Sequence, residues 1–213
     1  MKYAVIADIH NNLQALSNIL ERTKKDGMDA VFVAGDLTVG GESEKLKAVR
    51  EVLNKSGVKY FVTQGNHDKY KGLFSSVFGL GYKSTKINGV KFILIDNSNY
   101  YGLGGTQKEW IKTEVAECKT IMCITIMHMP LNNPTSAHIM GEYEDSAAND
   151  GKWLKELLVA NGIKETESGH VHRFETYTLE GIKTNLVGAA ADSRFSEFTV
   201  KSSREIVKEE IQL

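Results

Sequence analysis

The chain has 213 residues, 41% hydrophobic and 25% charged, with 26 basic against 27 acidic side chains and a formal net charge of −1. That length suits a single domain over residues 1–213 with room for one core or two stacked ones, and the balanced charge, with no Lys/Arg patch, argues against nucleic acid as a partner. No apolar run approaches the roughly 18 residues of a membrane helix and residues 3–7 are too short for a signal peptide, which points to a soluble cytoplasmic protein with no membrane partner.

The apolar run 3–7 is followed by Leu13, Leu16, Ile19 and Leu20 at helical spacing, and then by the apolar run 30–34. This is a β-α-β pattern. It continues with a charged amphipathic helix over 42–56, closed by Gly57, and a third apolar strand over 58–63, which favours a parallel sheet with helices on its faces. Residues 86–91 form a hairpin on Asn88-Gly89, a pair suited to a type I′ turn, leading into the strand 92–95. A helix is expected over 107–117, a strongly apolar strand over 121–127, and a helix over 152–160 stopped by Asn161-Gly162. After Gly169 the pattern becomes short strands, as in an antiparallel segment, with no further helix. Residues 131–151 read as a loop over a site rather than a linker, acidic through Glu142, Glu144, Asp145 and Asp150. Cys118 and Cys123 have no metal-type spacing and read as buried free thiols of a reducing compartment.

Polar clusters close the apolar strands: Asp8-Ile9-His10, Gly35-Asp36, Gly65-Asn66-His67-Asp68, Met127-His128-Met129 and Gly169-His170-Val171-His172. Loops beyond the carboxyl ends of such strands gather on one edge, so these residues can converge. They hold five of the six histidines, and a set of imidazole, carboxylate and amide donors without thiolate suits a divalent Mn, Fe, Zn, Co or Ni ion.

The order Asp-x-His, Gly-Asp, Gly-Asn-His-Asp, His, Gly-His-x-His resembles that of the calcineurin-like metallophosphoesterase superfamily. The resemblance implies a four-layer α/β/β/α sandwich of two stacked mixed sheets and a pair of divalent metal ions, manganese favoured. It implies that Asp8, His10 and His172 hold one ion, Asn66, His128 and His170 the other, and that Asp36 bridges them. Two ions about 3.5–4 Å apart lower the pKa of a shared water and neutralise the phosphate it attacks. His67, which the family does not use as a ligand, is the candidate general acid, with Asp68 to orient its ring, and Asn11 and His138 are placed against the substrate.

Asn11 stands where relatives often carry Gly, and Asn tolerates left-handed backbone. Met127 reads as strand core. Gly35-Asp36 lacks the Asp-Arg-Gly continuation of the Ser/Thr protein phosphatases, which points away from phosphoprotein substrates. Residues 102–110 resemble the loop and helix start of the phosphodiesterase-type members, with Trp110 as core. Tyr100 and Tyr101 are assigned to an exposed turn in preference to a ring-stacking role. The expected activity is hydrolysis of a small phosphodiester or phosphomonoester, nucleotide-like. A nuclease and a non-catalytic interaction scaffold are the alternatives, and edge strands near the C-terminus would allow a dimer.

Overall fold

The computed structural model describes residues 1–213. The chain runs β1 (Lys2–Ile6), α1 (Leu13–Lys25), β2 (Ala30–Ala34), α2 (Ser43–Ser56), β3 (Tyr60–Thr63), α3 (Phe74–Phe78), β4 (Lys83–Ile87) and β5 (Val90–Ile95). It continues α4 (Gly105–Ala116), β6 (Met122–Met127), α5 (Asp145–Ala160), β7 (Glu165–Ser168), β8 (Glu175–Leu179), β9 (Ile182–Leu186), β10 (Arg194–Val200) and β11 (Ile206–Gln212). One sheet has the order β11-β10-β1-β2-β3, the other β4-β5-β6-β7-β9-β8. Both are mixed: β1, β2 and β3 are parallel with β10 and β11 antiparallel at one side, while β5, β6, β7 and β9 are parallel between antiparallel edges β4 and β8.

Strand alternation builds the layers. Tyr3, Val5 and Ala7 point toward the second sheet and join Phe32, Phe92, Ile124, Ile126 and Phe198 in the core between sheets. Ala4 and Ile6 point the other way, onto Leu16, Ile19 and Leu20 of α1 and Leu46, Val49 and Leu53 of α2. Ile93, Ile95 and Met127 leave the far face of the second sheet to meet Ile111 and Val115 of α4 and Leu154 and Leu158 of α5. Three apolar layers therefore separate helix, sheet, sheet and helix, the expected four-layer sandwich, with Met127 in the core and Trp110 partly buried against it.

Several expectations are corrected. Helix α5 begins at Asp145, seven residues before Lys152. Its buried stripe runs Ala147, Gly151, Leu154, Leu158, and the two small residues at its start hide the apolar period. Helix α3, absent from the sequence reading, buries Phe74 and Val77 between Gly72 and Gly79. Residues 190–192 add one short 3-10 turn after Gly169. Cys118 and Cys123 are joined in a disulfide across the turn from α4 into β6, so they are not free thiols and no longer argue for a reducing compartment. Asn88 and Gly89 take φ of 48° and 83°, as the hairpin requires. No helix is long and apolar enough to cross a membrane.

Glu165 and Glu167 share a face of β7, and the fully buried Glu167 accepts a hydrogen bond from the Tyr3 hydroxyl at 3.1 Å while its second oxygen has no partner. Burial, reinforced by the neighbouring Glu165 charge, pushes the Glu167 carboxyl well above the usual carboxylate range. The folded state thus holds this proton more tightly than the unfolded chain, a contribution fully present below pH ~4.5 and lost as pH rises toward the folded pKa. Glu167→Gln is expected to flatten the decline in melting temperature between pH 5 and pH 8, leaving the variant a few degrees more stable at pH 8 by calorimetry, at roughly 2–4 °C per kcal/mol.

Candidate metal centre

Parallel β1, β2 and β3 end on the same edge, and each chain turns there in a hydrogen-bonded relay past the strand. Asp8 N–H donates to Gly35 O at 3.1 Å, and Ile9 and His10 both donate to Asp36 O, at 2.8 and 3.1 Å. The second sheet is held to this edge by the Ala7–Ala189 bridge, which brings His128, after β6, and His170, after β7, up to the first-sheet loops.

The turns are strained. Of ten non-glycine residues with positive φ, six lie here: Asp8, His10, Asn11, Asp36, His170 and His172. Such backbone costs on the order of 1–3 kcal/mol per residue and persists only where surrounding structure over-determines it, so the fold holds these side chains in place before any ligand arrives. Two glycines make the close approach feasible. A Cβ on Gly65 would overlap the backbone nitrogen and Oδ1 of Asp36, and one on Gly35 would sit 2.8 Å from the His128 ring.

Six of the seven expected ligands form two adjoining sets whose donor atoms lie within 4.8 Å of one another, Asp8–His10–His172 and Asp36–His128–His170. Asp36 joins them: its Oδ2 is 3.9 Å from His10 Nε2 and 3.2 Å from His128 Nε2. The seventh, Asn66, places Oδ1 2.9 Å from His128 Nε2. His170 N–H donates to the Asp8 carboxylate at 3.0 Å and His67 N–H to Asp36 Oδ1 at 2.9 Å, fixing both acids. His128 Nδ1 donates to Ala34 O at 2.8 Å, which turns Nε2 inward.

The electrostatics are those of a compact charge pair beside strained imidazoles. Burial opposes ionisation of both Asp36 and His128, but their mutual attraction wins, holding Asp36 down at about 2 and His128 up at about 9. Burial and the His128 charge press His170 down to about 3. Burial also lowers His10, whereas a hydrogen bond to Asp8 raises the more exposed His172. The donor set fits divalent ions on its own chemistry. Ring nitrogens face one another at 3.2 Å in two places, His10 Nε2 against His172 Nε2 and His128 Nε2 against His170 Nδ1, and His170 Nε2 is buried without a partner. Nitrogen and carboxylate donors thus converge from separate loops, and a divalent ion would take the ring lone pairs once the shared protons leave.

His67 is half-buried at the rim, its ring edge-on to His10 at 5.1 Å and its Nδ1 donating to Val39 O at 2.9 Å. Asp68 makes no hydrogen bond to that ring. It is fully buried and accepts from the backbone of Leu37, Thr38 and Gly65 and from the Thr38 hydroxyl, all within 3.1 Å, so it ties the second and third metal loops together. Burial and the nearby Asp36 charge push its carboxyl up to about 6. Asn11 takes a left-handed φ of 67°, and its Oδ1 is buried without a partner. His138 is exposed, bonded to Glu142 at 3.1 Å, with its ring 6.2 Å from that of His170. The loop carrying it is anchored at its start, where Arg173 bonds Asn133 and Glu175.

Two site residues escape the sequence reading. Asn97 Oδ1 accepts the backbone N–H of both His128 and Met129, at 3.2 and 3.1 Å, and Asn97 Nδ2 donates to Met129 O at 2.7 Å. Tyr100, assigned to an exposed turn, is half-buried and accepts from Asn66 Nδ2 at 2.9 Å, turning the amide oxygen toward His128. Burial raises its hydroxyl to about 12, so it stays protonated. The signal was present: Asp96-Asn97-Ser98-Asn99-Tyr100 is one more polar cluster at a strand end.

Comparison with known proteins agrees. Residues 1–174 match the family model described as calcineurin-like phosphoesterase. A probable cyclic nucleotide phosphodiesterase of Vesicomyosocius okutanii subsp. Calyptogena okutanii (strain HA) is 24% identical over 189 residues, 85% of this chain and 77% of that protein. Among solved structures, a dimetal phosphatase from Danio rerio superposes with a TM-score of 0.80 at 12% identity, covering 100% of this chain and 96% of that one. GAP50, described as the anchor in the inner membrane complex of Plasmodium, superposes at 0.71 and 14% identity over 100% of this chain and 84% of that one. With the family model spanning most of the chain and the donor sets in place, this protein belongs to the calcineurin-like phosphoesterase family and is a metal-dependent phosphoesterase.

Proposed function

We propose that the chain hydrolyses a small-molecule phosphodiester or phosphomonoester, nucleotide-like in character, at a centre that takes two divalent ions, with manganese as the favoured metal. The observation that carries this reading is the single Asp36 carboxylate standing between the two donor sets. Two divalent ions, when bound, would supply a water activated near neutral pH and positive charge for the phosphate oxygens. Asp8, His10, Asp36 and His172 are the residues for one ion, and Asp36, Asn66, His128 and His170 for the other. Only Asp8 and Asp36 among them are anionic, so the loaded site keeps a positive balance that attracts phosphate. His67 serves as general acid. With Nδ1 committed to Val39 O, its Nε2 is the nitrogen that passes a proton to the departing oxygen. His138 and Asn11 line the approach for substrate.

The relative named as a probable cyclic nucleotide phosphodiesterase supports a diester of nucleotide type. The near-complete donor set separates the enzyme from a non-catalytic scaffold on the same fold. Purified protein is expected to hydrolyse bis-p-nitrophenyl phosphate or p-nitrophenyl phosphate with added Mn²⁺ and to stop on addition of chelator. Inactivity with every divalent metal would overturn the reading in favour of the scaffold.

A further inference from the structure

The three most exposed aromatic side chains of the chain are Tyr70 at 64%, Tyr101 at 71% and Tyr143 at 61%, all on loops, and Tyr70 and Tyr143 lie beside the metal centre. The remaining large exposed apolar side chains are aliphatic. Tyr70 follows the third metal loop and stands edge-on to His67 at 5.8 Å. Tyr143 comes from the loop before α5 and meets Tyr100 edge-on at 5.0 Å, and Tyr100 in turn touches Asn66. Three separate segments thus deliver tyrosine rings to one side of the centre, starting one side chain away from a ligand. An exposed ring costs solvation, and a cluster of them beside a site marks a binding surface. Tyrosine presents a rigid planar face at small entropic cost, which suits a flat heterocycle.

We propose that Tyr70, Tyr100 and Tyr143 form a subsite that stacks the base of a nucleoside phosphate while its phosphate lies at the metal centre. The proposal rests on the phosphoesterase reading above and names the substrate class. Glu142, Glu144 and Asp145 flank Tyr143 and repel additional charge, so a nucleoside monophosphate or monoanionic diester fits better than a triphosphate. Base-aromatic stacking is worth about tenfold or more in affinity per base.

The test compares adenosine 5′-monophosphate with ribose 5-phosphate, which share the same ester linkage, the second carrying an anomeric hydroxyl in place of the base. With Mn²⁺-loaded enzyme, KM for ribose 5-phosphate is expected to be about tenfold above that for the nucleotide. Tyr143→Ala brings the ratio close to one and Tyr143→Phe preserves it, because the ring and not the hydroxyl makes the contact. In chelator-treated protein, proton NMR of the tyrosine rings is expected to shift on titration with adenosine 5′-monophosphate and not with ribose 5-phosphate. Equal KM values, or equal ring shifts with both compounds, overturn the subsite. Turnover of neither compound, together with no hydrolysis of bis-p-nitrophenyl phosphate with any metal, refutes the hydrolase reading instead, and the ring shifts then decide the subsite on their own.

Discussion

Asp36→Asn is expected to strip metal from both halves of the centre, lowering bound ions by elemental analysis from two per chain to near none. The substitution is nearly isosteric, so its effect is one of charge. Asp36 Oδ2 reaches both donor sets, and His67 N–H already occupies Oδ1. An amide keeps the shape but removes one of only two negative charges facing two divalent ions. Activity with Mn²⁺ should fall by roughly three orders of magnitude, the scale seen when a preorganised electrostatic element is removed. Asp8→Asn provides the contrast, because Asp8 belongs to one donor set only and its loss should spare half the metal. Circular dichroism separates this from unfolding, since the backbone relays that hold the loop use carbonyls and not the Asp36 side chain. Retention of two ions by Asp36→Asn would remove Asp36 from its bridging position.

The sequence made the strand-end clusters readable because parallel strands obey a general rule. Their carboxyl ends share an edge, so Asp8, Asp36 and Asn66 could be placed together without coordinates. Continuous apolar runs likewise disclosed β1, β2 and β6 to within a residue or two. The stacking of the sheets was carried by the family resemblance, since periodicity says that a strand has two buried faces and not what covers them. Roles set by a second contact stayed hidden. Whether Asp68 reaches the His67 ring or the amides of Leu37 and Thr38 depends on a turn of one residue, and composition is silent on that. Tyr100 looked like an exposed turn residue because its partner, Asn66, lies 34 positions away. The disulfide was missed for a different reason: two cysteines five apart carry no framework signal until a helix end and a strand start bring them face to face.

His67→Ala is expected to leave both ions bound and to cut turnover by an amount that depends on the leaving group. His67 contributes no atom to either donor set, and its Nδ1 is engaged by Val39 O, outside the ion sites. The variant therefore tests proton delivery with the metals held constant. An alkoxide leaving group, as in a ribose ester, must be protonated as the bond breaks, and loss of a positioned general acid costs on the order of 10²–10⁴-fold. p-Nitrophenolate departs as a stable anion and needs no proton, so the same variant should lose less than about tenfold with bis-p-nitrophenyl phosphate. The ratio of the two losses is the informative quantity, because a general disturbance of the site would slow both substrates alike. Equal losses, or metal released from His67→Ala, would show that this side chain supports the ligand loops and does not move a proton. A large ratio would assign the proton to His67 and make Val39 O the group that fixes its tautomer.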